Sequence, residues 1–232
     1  MSQQHTPNRA SRYPGYDVLA KRDTPSWDGV TRRVVERRLA QPNVPRFCTD
    51  AQWRALSALC AAIVPQSLGR ADAAASARFA EPRVPVAGLV DTKLADDARD
   101  GYRDARLPPL RQAWRIGLAA IDEESRALHG AGFADLGDEA QHDLLLRMQR
   151  GELRGPAWQG MPSDVFFSLR VLHDIGSAYY SHPHAWNEIG FGGPANPRGY
   201  VRMQADRRDP WEASEARPGR EARAKRENAR VR

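Results

Sequence analysis

The chain has 232 residues, 41% of them hydrophobic, with 18 glycines and 17 prolines, a composition that supports one substantial core with long irregular margins. Its net charge of +6 sits at the ends: residues 1–46 carry 9 basic and 4 acidic groups, residues 217–232 carry 7 and 2, and the middle carries 19 and 23. A duplex-binding domain places cations on the folded face that follows the phosphates, so a mildly acidic middle argues against nucleic acid, and no apolar run reaches the length of a membrane span.

Residues 1–24 show no helical period and are expected to form an irregular arm. In TPSWDGVTRRVVERRLA, Thr24 is placed to cap a helix, Pro25 suits its first turn, and Trp27, Val30, Val34 and Leu39 approximate one apolar stripe. The pairs Arg32-Arg33 and Arg37-Arg38 invite a twin-arginine export reading, but no apolar stretch follows either. The expectation is therefore a cytoplasmic chain, or a periplasmic one if a signal-bearing partner carries it. TDAQWRALSALCAAIVP is the strongest amphipathic segment, with Thr49 or Asp50 as cap, Trp53, Leu56, Cys60, Ile63 and Val64 inward, and Pro65 as the stop. Cys60 reads as a buried thiol, and neither it nor Cys48 has metal or redox-motif spacing.

QSLGRADAAASARFAEPR reads as a surface loop. Helical periodicity returns in PVAGLVDTKLADD and in LPPLRQAWRIGLAAIDEESRALHG, where Leu110, Trp114, Leu118 and Ile121 share a face and Asp122, Glu123 and Glu124 are expected on the solvated one. Asp138 and Gln141 offer a capping box for a helix through Gln149, with Leu144, Leu145 and Met148 inward. MPSDVFFSLRVLHDIGSAYY follows, with Phe166, Leu169 and Ile175 as apolar contacts. His173, Asp174 and Ser177 do not read as a hydrolase triad, because adjacent helical residues point about 100° apart and no nucleophile elbow is present. A core histidine, or an Asp174–Arg170 pair, is the simpler expectation. The whole reads as an all-α, irregular multi-helix domain over residues 25–216, including a Gly/Pro-rich docking region over 179–216, with a disordered basic tail over 217–232.

The region AYYSHPHAWNEIGFGGPANPRGY, residues 178–200, carries the candidate site. His182, His184 and Glu188, with His173 as a further ligand, form the metal alternative, although Pro183 denies the two histidines helical i, i+4 geometry and a fourth ligand is missing. GFGGP lacks the preceding strand and following helix of a phosphate loop. Tyr179, Tyr180, Trp186, Phe191 and Tyr200 are too many large rings for a solvated linker. Together with Gly192, Gly193, Arg198 and Arg202 they suit either a protein interface or a cover over the chain's own core.

Three stretches, FCTDAQWRALSALCAAIVP, GLAAIDEESRALHGAGFADLGDEAQHDLL and FFSLRVLHDIGSAYYSHPHAWNEIGFGGPANPRGY, resemble the small subunit, subunit 3 or gamma, of gluconate 2-dehydrogenase-type flavoprotein complexes over residues 47–200. The resemblance implies a non-catalytic accessory subunit with no cofactor of its own. It would bind and stabilise a large FAD-dependent oxidoreductase subunit of the glucose-methanol-choline class acting on a sugar, polyol or alcohol, and it leaves room for a cytochrome c subunit. Such small subunits frequently carry the twin-arginine signal for both chains, a pattern from which this N-terminal region departs. Two other classes stay open at this point: a stand-alone metal-dependent enzyme using His182, His184 and Glu188, and a transient assembly chaperone of the flavoprotein. The substrate, the electron acceptor and the state of Cys48 and Cys60 are not legible in the sequence.

Overall fold

The computed structural model describes residues 11–66, 84–98, 101–194, 199 and 211–231. In chain order it contains α1 (Gly29–Leu39), α2 (Asp50–Ile63), α3 (Val86–Ala95), α4 (Leu110–His129), α5 (Asp138–Gln149), α6 (Ser163–Phe166), a π-helix (Phe167–Leu172), α7 (His173–Ser181), α8 (Pro183–Ile189) and α9 (Glu221–Asn228). Short 3-10 turns occur at Val18–Lys21, Phe133–Asp135 and Pro156–Trp158. There is no strand among the described residues, so the architecture is all-α. The surface loop expected over 66–83 lies outside them apart from Gln66, whose side chain bonds the Val84 backbone.

The chain divides into two compact units, Gln41–Tyr179 and Met1–Ala40 with Tyr180–Arg232. In the first, α2 begins with a complete capping box: Thr49 accepts from the Gln52 N–H while the Gln52 side chain accepts from the Thr49 N–H. The α4 stripe of Leu110, Trp114, Leu118 and Ile121 is buried as its spacing predicts. Phe166 meets Trp114 edge-on at 5.4 Å and Trp158 at 5.9 Å, a geometry favoured by the ring quadrupoles. The capping box expected at Asp138 is not formed. Gly137 occupies the cap position without a side-chain bond, and Gln141 donates to the Phe133 carbonyl at 2.9 Å instead.

Two carboxylates organise this unit. Asp91 accepts from the backbone N–H groups of Arg46, Phe47 and Cys48 at 2.6, 3.0 and 2.9 Å, fixing the entry to α2. Burial alone would raise its pKa; the three donors outweigh burial and hold the carboxyl below its usual range. Burial first, and then the Asp91 carboxylate, pushes the Cys48 thiol up to about 12, so it stays protonated. Cys48 and Cys60 are both free. Asp174, with a side chain sealed from solvent, accepts from Lys93 Nζ and Trp114 Nε1, each at 2.8 Å. Its ionic partner is thus Lys93, where the sequence suggested Arg170, because the fold brings α3 against a residue 81 positions away.

The π-helix explains a second departure. Leu169 was expected inward, yet it is 40% exposed and Leu172 is 42% exposed, while Arg170 and Val171 are buried. Widening the turn to an i→i+5 pattern shifts the phase of every later residue, so a 3.6-residue period cannot predict which face is buried. Asp122 and Glu124 depart as well. Asp122 accepts from the Phe133 N–H at 2.9 Å, and Glu124 from the Gly155 N–H at 2.8 Å and Trp158 Nε1 at 3.1 Å. Both therefore pin loops, and Glu123 alone of the three is exposed.

The second unit joins the two ends of the chain. Tyr16, Val18, Trp27, Val35, Trp186, Ala213 and Val231 form its core. Of the irregular arm expected over 1–24, residues 11–24 are described; they are irregular apart from the 3-10 turn Val18–Lys21 and contribute the buried Tyr16, Val18 and Lys21. Helix α1 starts at Gly29 with Asp28 as cap, accepting from the Thr31 N–H at 2.7 Å, so Thr24 and Pro25 precede it; Val30 faces solvent. The basic tail expected over 217–232 is described through residue 231. It forms α9, and Asn228 accepts from the Ser214 N–H at 2.5 Å and donates to the carbonyls of Pro14 and Ser214, each at 2.9 Å. These bonds and the buried Ala224 and Val231 give it a fixed place that local composition does not reveal. Truncation after residue 216 is therefore expected to cost about 2 kcal/mol and to lower the thermal midpoint by roughly 4–8 °C. An unchanged midpoint would show that α9 contributes nothing to stability.

Candidate functional site

The candidate site is the segment from Tyr180 to Gly193, which was expected as a loop and is largely helix. Pro183 occupies the first turn of α8, where its missing N–H costs nothing. His182 is the cap, its Nδ1 accepting from the His184 N–H at 3.3 Å. Gly190 ends the helix at φ 67°, a left-handed conformation that suits glycine, and a Cβ there would lie 2.6 Å from the Tyr13 ring. The Gly190 and Phe191 N–H groups both donate to the Trp186 carbonyl, which commits them to the helix end. These signals, a proline in the first turn and a glycine past the last, were present in the sequence; only the histidine cap is unusual enough to have hidden them.

Trp186 is 2% exposed. Its Nε1 donates to the Tyr180 carbonyl at 2.7 Å, the Arg38 guanidinium lies 5.8 Å from its ring centroid, and Phe191 meets it edge-on at 5.4 Å and 90°. Arg38 also donates to the Ser181 carbonyl at 2.9 Å, and burial lowers its pKa. Gly193 has φ 71°, and a Cβ on it would come within 2.9 Å of the Trp27 ring. Asn187 Oδ1 accepts from the Val18 N–H at 2.8 Å. Lys21, fully buried, donates through Nζ to the Tyr16 hydroxyl at 3.1 Å, to the Gly192 carbonyl at 3.2 Å and to the Trp211 carbonyl. Sequence reasoning passed over Lys21 entirely, because a lone lysine in a short polar stretch has the pattern of a solvated residue.

The predicted interface residues therefore separate. Tyr180, at 52%, and Phe191, at 38%, are exposed, as is Ile189. Trp186 and Gly193 are buried in their own unit, Tyr179 is buried in the other unit, and Gly192 is partly covered. Arg198, Tyr200 and Arg202 lie outside the described residues. Of the metal alternative, His182 and His184 are neighbours with ring centroids 5.1 Å apart, but His182 is buried and its Nδ1 is engaged as the cap. Glu188 is exposed. His173 Nδ1 lies 3.2 Å from Asp174 Oδ1, a contact that the two residues reach despite their angular separation on the helix. Among the described residues, no group of three or more His, Cys, Asp or Glu side chains converges as a metal site would.

Burial, followed by the charge on His184, drives the His182 pKa down to about 4 from 6.5. Between those values the unfolded chain binds a proton that the folded one refuses. The stabilisation is fully present above about pH 6.5 and is lost as pH falls toward 4, about 3 kcal/mol over the full range. His182→Asn retains a capping side chain but does not titrate. Wild type is expected to lose about 2–3 kcal/mol more than this variant between pH 6.5 and 4.5 in denaturant titrations, and parallel curves would contradict the assignment.

These features define an all-α protein in which the polar groups of the candidate segment are largely spent on holding its own rings in place. The chain belongs to the gluconate 2-dehydrogenase subunit 3 family, whose model matches residues 50–193, from the start of α2 to the turn after α8. No curated protein and no solved structure matches it. Among the described residues, no helix is long and apolar enough to cross a membrane.

Proposed function

We propose that this chain is a non-catalytic small subunit that binds and stabilises a large flavin-dependent dehydrogenase subunit of the glucose-methanol-choline class, with FAD held by that partner and a sugar, polyol or alcohol as substrate. Membership of a dehydrogenase subunit family supports the reading. The observation that carries it further is the presentation of Tyr180, Ile189 and Phe191. Ile189 and Phe191 are held outward by α8 and the turn after it, whose inner face is locked by Trp186, Lys21 and Asn187, and Tyr180, near the end of α7, is exposed as well. An anchor held in its bound conformation loses little entropy on association, and aromatic anchors dominate interface energies.

The test is affinity purification of the tagged full chain from its native host. A flavoprotein recovered with it, carrying all the flavin, is the expected result, and Phe191→Ala or Tyr180→Ala should weaken that association by about 2 kcal/mol, close to 30-fold, with the free chain's helical circular dichroism unchanged. Recovery of the chain without any flavoprotein, or of flavin bound to the chain itself, would overturn the proposal.

A further inference from the structure

The fold gathers charge that the sequence leaves at two distant ends. Over the described residues, the unit formed by residues 1–40 and 180–232 contains 13 basic and 9 acidic groups, a net +4, and residues 41–179 contain 12 and 15, a net −3. Within the basic unit, α9 buries Ala224 and Asn228; Arg223 and Arg226 on it are exposed, as are Arg220 at its N-cap and Arg230 just past its end. Residues spaced by three or four share a face of a helix, so Arg223 and Arg226 are neighbours, and Arg220 and Arg230 flank them at the two ends of α9. Arg223 pairs with Glu227 at 2.7 Å, and the other oxygen of Glu227 accepts from Ser214 Oγ at 2.6 Å. Among the described residues, Arg220, Arg226 and Arg230 form no ion pair. Like charges at helical spacing repel; here the buried face and the Asn228 bonds hold the helix in place against them.

We infer that the outward face of α9 is a docking strip for a carboxylate-rich protein surface. The chemistry of these arginines selects that partner. Guanidinium groups match carboxylates in two-point fashion. The exposed residues between the arginines are Glu221, Ala222, Lys225 and Ala229, so the strip has no large apolar side chain to sink among acyl chains, as an interfacial helix does, and no ring to stack on bases. The strip lies beyond residue 193, where the family match ends, and is a feature of this chain beyond the matched segment. It rests on the subunit reading for the identity of the acidic protein, and its anion preference can be measured without that partner.

The experiment uses the intact chain, with poly-L-glutamate, phosphatidylglycerol vesicles and duplex RNA as probes at several salt concentrations. Binding to poly-L-glutamate that weakens with salt is expected. Arg226→Gln with Arg230→Gln should lose it at least tenfold, whereas Arg33→Gln with Arg37→Gln, which removes equal charge from α1, should change it less than threefold. Should the α9 pair disturb the helical circular dichroism, the single replacements Arg226→Gln and Arg230→Gln, each expected to cost about threefold, decide the matter. Equal losses for the α1 and α9 pairs would reduce the strip to net charge alone and overturn the inference. Tighter, α9-dependent binding to vesicles or RNA would overturn the choice of a protein partner. Poly-L-glutamate binding by a chain that recovers no flavoprotein would sink the subunit reading and leave the strip standing.

Discussion

Trp186→Ala is expected to destabilise the chain by about 3–5 kcal/mol, the cost of truncating a fully buried aromatic side chain. Trp186 is packed in the core with Tyr16, Val18, Trp27, Val35, Ala213 and Val231, so the loss must appear in the isolated protein, with no partner present. Several contributions combine: the apolar area of the indole, the cavity left beside Trp27, the edge-on support of Phe191 and the Nε1 bond to the Tyr180 carbonyl. Trp186→Phe separates them, keeping most of the area and losing the hydrogen bond, and should cost about 1–2 kcal/mol. Urea unfolding of both variants checks the assignment. If Trp186→Ala unfolds within 1 kcal/mol of wild type while partner binding collapses, the residue is an interface anchor and its burial here is irrelevant to stability.

An effect of similar size is expected at Asp174. Removing this carboxylate with Asp174→Ala takes away the acceptor shared by Lys93 and Trp114, and breaking one side of a buried pair typically costs about 3–5 kcal/mol. Lys93 keeps partial access to solvent, with 23% of its side chain exposed, which places the expectation near 3 kcal/mol at the lower end of that range. The informative companion is Lys93→Met with Asp174→Leu. Replacing both partners by apolar groups removes the desolvation cost together with the attraction, so the double variant should recover much of the loss. A double variant no better than Asp174→Ala would mean that the bond to Trp114, in place of the ion pair, carries the stability.

Helix positions were legible wherever burial follows a 3.6-residue period. The α4 stripe and the inward Leu144, Leu145 and Met148 of α5 are where the apolar spacing puts them, and the Thr49 cap is set by local hydrogen bonding that needs no tertiary context. Legibility failed where the backbone leaves that period or where a distant partner decides. Leu169 is exposed because the turns around it are π-helical. Val30 is exposed because α1 turns Thr31 and Val35 inward instead. For the candidate site, the sequence left core cover and interface open for the ring-rich segment, and the structure separates its rings: Trp186 is buried in the chain's own core, whereas Phe191 and Tyr180 are exposed.

The sequence by itself determined the all-α class, the order of the helices and the resemblance to a dehydrogenase small subunit, because periodicity, capping and motif order are properties of neighbouring residues. The tertiary structure alone decided that residues 11–40 and 211–231 share a core, that Lys21 holds the Gly192 turn, and that the basic tail buries Ala224, Asn228 and Val231. Each of these depends on contacts between residues from 14 to more than 200 positions apart, such as Asn228 with Ser214 and with the Pro14 carbonyl. A polar or charged side chain looks the same in the sequence whether water or a buried acceptor satisfies it, and only the folded chain supplies the acceptor.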